Sequence, residues 1–260
     1  MRVASAMGLA TGLAACSLLL DDGYSSGQVP NGGETPGLNG PDGGKNFAGE
    51  KDSGVAASAY RDVVLADGPV AYWPLDETTG WTVGDVSGHG HDGEIESRER
   101  PLWGQEGIPG SEGTALRLDG RGGVIFGDKF DFPGRSPFTI EAWIRPDPPV
   151  NTWRSIFEKL ERRNGSPHQG TYFWVKNDDR TPLSIERWAG GNIKQYAASR
   201  SLVQTDRFTH VAAVVDANRC VLFVDGARVD SQPHTGDIPD ISAKVLLGSN
   251  WVGLLDEVAI

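Results

Sequence analysis

Phe138-Thr-Ile-Glu-Ala-Trp-Ile-Arg-Pro146 decides the fold class. Successive side chains of a strand point to opposite faces, so Phe138, Ile140, Ala142 and Ile144 share one face and Thr139, Glu141 and Trp143 the other. Further strand-like runs lie on both sides of it. Upstream are Val70 to Trp73, Ala115 to Leu118 and Val124 to Phe126. Downstream are Ile156 to Leu160, Thr171 to Val175, Leu183 to Trp188, Ile193 to Ala197, Val211 to Val215, Val221 to Val224, Val245 to Leu247 and Leu254 to Ile260. Turn signals separate them: Asn164-Gly165 within a polar loop from Glu161 to Gly170, Gly190-Gly191, and Asp216-Ala-Asn218. Ala59 to Leu65 reads as one or two helical turns ended by Gly68-Pro69. No strand–helix–strand alternation appears, so the expected fold is all-β: two antiparallel layers around one core.

The strands carry recurrent phrases. In order they are Ala66-Asp-Gly-Pro-Val-Ala-Tyr-Trp-Pro-Leu-Asp-Glu77, Asp85-Val-Ser-Gly-His-Gly-His-Asp-Gly93, Ala115-Leu-Arg-Leu-Asp-Gly120, Phe138 to Pro146, Phe208-Thr-His-Val-Ala-Ala-Val-Val-Asp216, Leu222-Phe-Val-Asp-Gly226 and Gly253-Leu-Leu-Asp-Glu-Val-Ala-Ile260. Together they resemble the LamG-like (concanavalin A-like) jelly-roll domains of bacterial surface proteins, over about three quarters of the chain. The resemblance implies a β-sandwich jelly roll with a binding role, and it names no ligand. Family members usually run on past the equivalent of Ile260, so the end inside a strand is read as a truncation.

The first residues read as an address. Arg2, an apolar stretch from Val3 to Ala14, and Leu13-Ala-Ala-Cys16 resemble a lipoprotein signal, with residues 1–15 removed and Cys16 lipidated. The apolar stretch is shorter than the roughly 20 residues that span a bilayer. Ser17 after the cysteine resembles outer-membrane sorting, which implies an outer-membrane or cell-surface location. Residues 16–58, rich in Gly, Pro, Ser, Asn and acids from Asp21 on, have too few apolar side chains to offset the entropy of ordering. They are expected to form a disordered tether reaching about 35 Å. The head then covers residues 59–260. A net charge of −11 argues against nucleic acid, which needs a basic face. Cys220 lies in a strand-like run and is expected to be a buried, inert thiol.

Glycoside hydrolases of this shape carry two carboxylates on one strand at Glu-x-Asp-x-(x)-Glu spacing, flanking the scissile bond. Here Glu141 is followed by Ala142, Trp143 and Ile144, and Asp256 and Glu257 are adjacent. No Gly-x-Ser-x-Gly or His-Glu-x-x-His motif is present. The expectation is a protein that is not an enzyme. His89 and His91 do not have zinc-ligand spacing. The resemblance implies a structural calcium ion at Asp85 and Asp256, with Asp119 and Asp92 as further oxygen donors. Ca²⁺ takes six to eight oxygens, and Gly-rich turns can supply carbonyls.

Alternation on three more strands gathers aromatics. Tyr172, Trp174 and Lys176 share a face, as do Glu186 and Trp188, and Asn192 and Tyr196. With Phe173, Val175, Leu183, Ile185 and Ile193 turned to the core, these seven residues are expected to cluster outward as a carbohydrate-binding face. Aromatic rings pack on sugar C–H surfaces while polar groups read hydroxyls. The expected function is a non-catalytic, lipid-anchored surface protein whose head binds a glycan or extracellular polysaccharide. The alternatives are a surface module that binds proteins without sugar affinity and, more remotely, a glycoside hydrolase.

Overall fold

The computed structural model describes residues 56–97, 101–111, 113–177 and 182–260. The expected signal peptide, Cys16 and the expected tether up to residue 55 lie outside the described residues. Helix α1 spans Ala56–Ala66, starting ahead of the expected boundary at Ala59. Sixteen strands follow among the described residues. They are β1 Tyr72–Trp73, β2 Thr82–Val83, β3 Gly93–Glu96, β4 Leu102–Glu106, β5 Thr114–Asp119, β6 Gly123–Ile125, β7 Phe138–Pro146 and β8 Arg154–Arg163. Then come β9 Ser166–Val175, β10 Leu183–Ala189, β11 Asn192–Ser199, β12 Thr209–Val215, β13 Arg219–Val224, β14 Ala227–Pro233, β15 Val245–Leu247 and β16 Val252–Ala259.

They form two antiparallel sheets packed as a sandwich. The first runs β14-β13-β12-β7-β16-β5-β4, with β1 also on β16; the second runs β11-β10-β9-β8-β15-β6-β3-β2. The core lies between them. Ile140, Ala142 and Ile144 of β7 are wholly buried there, facing Phe157, Phe173, Val175, Leu183 and Ile185 from the second sheet. The even–odd pattern of Phe138–Pro146 therefore has its physical cause in the sandwich. Cys220 is also wholly buried in this core, and burial pushes its thiol up to about 12, which keeps it protonated and unreactive.

The opposite face of β7 is not left to water. Trp143 packs there with Tyr60 and Val64 of α1, Tyr72, Ile108, Phe208 and Leu254. The Tyr60 and Trp143 rings meet edge-on, 6.3 Å between centroids. Helix α1 is thus a cover for one apolar patch, held by residues one turn apart. It ends where Gly68 takes a positive φ of 70° and donates its N–H to Leu65 O at 3.1 Å.

Two expectations need correction. The polar loop Glu161 to Gly170 is strand almost throughout: β8 and β9 run up to a two-residue turn at Asn164 (φ 51°) and Gly165 (φ 79°). Both positive angles suit Asn-Gly, and such a tight turn forces immediate pairing of the polar residues beside it. Strands β2, β3, β4 and β14 went unrecognised because they are short or half exposed, without apolar alternation long enough to read.

Candidate functional site

The outer face of β8 to β11 is built by register. Glu158, Tyr172, Glu186 and Tyr196 stand directly opposite one another across four strands and so point the same way. Ser155, Trp174, Ser184 and Ala198 form the row on one side; Leu160, Gly170, Trp188 and Ile193 form the row on the other. Tyr172, Trp174, Glu186, Trp188 and Tyr196 therefore gather on one face, as alternation predicts. Lys176 sits just past β9, its Nζ 4.4 Å from the centre of the Trp153 ring.

Asn192 does not join them. A bulge between Arg187 and Trp188 shifts the register, so Trp188 faces Ile193 and Asn192 pairs with Ala189. The Asn192 amide bonds its own turn, Nδ2 to Gly190 O at 3.3 Å. A one-residue slip reverses every face beyond it, and no feature of the sequence announced this slip.

Exposure also departs from expectation. Tyr172 and Trp174 are only 8% and 4% exposed, because their rings pack on each other (centroids 6.1 Å apart) and against Leu160 and Trp188. Arg162 adds its guanidinium over the Tyr172 ring at 5.8 Å. The reachable aromatic surface is instead Tyr196 at 47%, Trp153 at 55% and the half-buried Trp188, with Ile193 beside them. Alternation tells which face a side chain takes, and its neighbours decide how much of it meets solvent. Sequence reasoning missed Trp153, Glu158, Leu160 and Arg162, although the same alternation carried into β8 signals the last three.

The face is also charged. Arg162 bonds Glu158 Oε1 at 2.8 Å. Trp188 donates its indole N–H to Glu186 Oε2 at 3.1 Å. Burial raises the Glu186 carboxyl above its usual range, and that hydrogen bond only partly offsets it. The Trp174 indole N–H is buried on this face near the Glu186 carboxyl. Such an array can stack a flat apolar surface and accept hydrogen bonds beside it.

The expected metal residues do not converge; among the described residues no three His, Cys, Asp or Glu side chains are placed to hold an ion together. Asp85 is saturated. Its Oδ1 accepts from the N–H of Tyr72 (3.0 Å) and of Ser87 (2.9 Å), and its Oδ2 from that of His91 (2.8 Å). Burial works against its charge, but these donors outweigh it and hold the carboxyl below its usual range. Asp92 accepts from the Asp85 N–H at 2.8 Å, closing the same turn. Asp119 lies at the surface, accepting from the Arg121 N–H at 3.0 Å.

Asp256 is different. It is 1% exposed, its Oδ2 accepts from the Ile108 N–H at 3.0 Å, and its Oδ1 is buried without a partner. Asp76, not anticipated as a ligand, reaches the same loop and accepts from the Thr114 N–H at 2.6 Å. Two glycines make room: a Cβ on Gly107 would lie 3.0 Å from Asp256 Oδ2, and one on Gly113 2.8 Å from Asp76 Oδ1. Burial first, then the charges of Glu257 and Asp76, raise the Asp256 carboxyl well above its usual range.

A small cleft at one end of the sandwich is lined by Phe130, Lys159, Arg187 and Ile241, but its cations are engaged. Lys159 Nζ bonds Asp128 at 2.7 Å and also Asp131. Arg187 bonds Gln195 at 2.7 Å, Thr171 at 3.2 Å and Phe132 O. These contacts pin the loops over the sandwich end.

A laminin G family model, described as the concanavalin A-like lectin/glucanases superfamily, matches residues 118–260. The chain belongs to this superfamily. Solved structures similar to it share its fold. One is domain 4 of AbnA, a GH43 extracellular arabinanase from Geobacillus stearothermophilus, in complex with arabinotriose (18% identity, TM-score 0.56, 74% of this chain, 90% of that chain). Another is the binding domain of botulinum neurotoxin DC in complex with SialylT (12%, TM-score 0.55, 75% of this chain, 48% of that chain). A third is Trypanosoma rangeli sialidase in complex with sialic acid (14%, TM-score 0.50, 74% of this chain, 30% of that chain). No curated protein matches the chain. Superfamily membership explains the sandwich, and at these identities the likeness to solved structures extends to the fold alone.

Proposed function

We propose that this superfamily member is a non-catalytic carbohydrate-binding protein whose ligand sits on the outer face of β8 to β11. The observation that carries the reading is that the exposed Tyr196 and the half-buried Trp188 stand on one face beside Glu186, backed by the buried Tyr172 and Trp174. Exposed aromatics beside fixed polar groups are the usual means of holding a sugar. The arabinotriose and sialylated ligands of two similar structures make arabinan and sialylated oligosaccharides natural members of a test panel.

The test is binding of the purified chain to immobilised polysaccharides. Trp188→Ala with Tyr196→Ala is expected to weaken binding of the best ligand by roughly 100-fold, since loss of a well-placed aromatic contact costs on the order of 1–3 kcal/mol. Unchanged binding would remove this face from the reading. Turnover of a bound polysaccharide would overturn the non-catalytic role and point to Glu158 and Glu186. The alternative, a protein-binding surface module, draws on Trp81 and Leu102, which are exposed at the far edge of the sandwich. It gains if the folded chain binds no glycan.

The anchor belongs to the same reading. Cys16 carries lipid, residues 16–55 lift the head from the membrane, and the glycan is met at the outer membrane or cell surface. Metabolic labelling with a radioactive fatty acid is expected to mark the wild-type chain and not Cys16→Ser. Equal labelling of both would sink the lipid site.

Calcium, if bound, is held by Asp256 and Asp76 and not by Asp85 or Asp119. The orphaned buried Oδ1 of Asp256 and the room left by Gly107 and Gly113 fit an oxygen-ligated cation. The ion would supply positive charge that lets Asp256 ionise while tying the Gly107–Thr114 loop to β16.

A further inference from the structure

We infer that this face selects uncharged glycans and rejects anionic ones, with Glu186 as the group that reads a sugar hydroxyl. The inference rests on the carbohydrate-binding reading above and adds the class of ligand.

Consider what a ligand meets on reaching Tyr196 and Trp188. In its row, Glu186 stands directly between Tyr196 and Tyr172, and it is tied to the Trp188 indole at 3.1 Å. The polar group beside the reachable aromatics is thus a carboxylate, an acceptor that bonds well to hydroxyl donors. One cation on the face, Arg162, is held by Glu158 at 2.8 Å, itself only 7% exposed, and the exposed Lys194 on β11 runs its stem along Gly236. Glu158 thereby compensates the charge that would otherwise attract an acidic sugar. Lys176 lies at the end of β9 against the Trp153 ring, away from the Tyr196 side. Further along the row, past Leu246 and Ile125, the next acidic or basic residue is another glutamate, Glu94. A carboxylate ligand placed here meets Glu186 in a partly desolvated setting, where like charges repel more than in water. A net charge of −11 adds long-range repulsion.

The test uses matched pairs: polygalacturonate against its methyl ester, and sialyllactose against lactose, measured on the full chain in 0.15 M salt. The neutral member of the better-bound pair is expected to bind at least about tenfold more tightly, a modest coulombic penalty at a partly buried site. Glu158→Gln frees Arg162 and is expected to raise affinity for the anionic member. Glu186→Gln, close in shape, is expected to lower affinity for the neutral member and narrow the gap. Equal or tighter binding of anionic members by the wild type overturns the selectivity while leaving sugar binding intact. Binding of neither member of either pair, with circular dichroism showing a folded chain, counts against the carbohydrate reading and this inference together. A gap that survives both Glu→Gln changes removes these two residues as its cause.

Discussion

Trp73→Ala should cost about 3–5 kcal/mol, the range for deleting a large aromatic from a well-packed core. Trp73 is wholly buried, 4.3 Å between ring centres from Phe126 and 5.7 Å from Phe130. Its indole N–H donates to His91 O at 2.8 Å, so the substitution also leaves a carbonyl of the Asp85 turn without its donor. A loss of that size is a large fraction of the roughly 5–15 kcal/mol that stabilises a typical domain. The thermal midpoint should fall by roughly 6–20 °C for a head of this size. Trp153→Ala is the control, since that ring is 55% exposed, and it should shift stability by less than about 1 kcal/mol. Calorimetry of the three proteins checks the prediction. A Trp73→Ala midpoint within 2 °C of wild type, by the same size estimate, would mean that the core is not packed as described.

Stripped of divalent cations, the protein should become less stable as the pH rises from about 4 to about 7. Burial raises the carboxyls of both Asp256 and Glu257, the latter to about 7. A carboxyl whose folded pKa is raised keeps its proton in the folded state after the unfolded chain has lost it. The folded state then binds more protons across that window, and stability falls with rising pH. For Glu257 alone, the interval from an ordinary 4.5 to about 7 corresponds to something on the order of 3 kcal/mol. A cation on ionised Asp256 should oppose the loss. Calcium at about 100 times its Kd adds close to 2.7 kcal/mol. Its effect should be large at pH 8 and small at pH 5. Asp256→Asn should remove the calcium response. Urea unfolding followed by tryptophan fluorescence, with calcium or with chelator, reads all of this. Superimposable curves with and without calcium at every pH from 5 to 8 would refute the proposed cation site.

The aromatic face shows how far a sequence reading carries. Alternation placed Tyr172, Trp174, Glu186, Trp188 and Tyr196 together, because strand geometry repeats every two residues whatever the partner strand does. It failed at Asn192, where the bulge beside Trp188 reverses the faces. It also mistook facing outward for lying open: Tyr172 and Trp174 are covered by Leu160, Trp188 and Arg162. Those covering residues come partly from β8, which sequence had divided between a strand and a loop.

The acids divide in the same way. Asp85, Asp119 and Asp256 are equivalent in sequence as candidate oxygen ligands. Their roles separate only when backbone N–H groups from distant segments reach Asp85 and when the Gly107–Thr114 loop closes on Asp256 and Asp76. What the sequence by itself determined is the all-β class, the residues of the core and the face on which most aromatics lie, all of which follow from local periodicity. The tertiary structure alone decided register, exposure and the partner of each buried charge. These depend on contacts between residues such as Ile108 and Asp256, far apart along the chain, which no local pattern encodes.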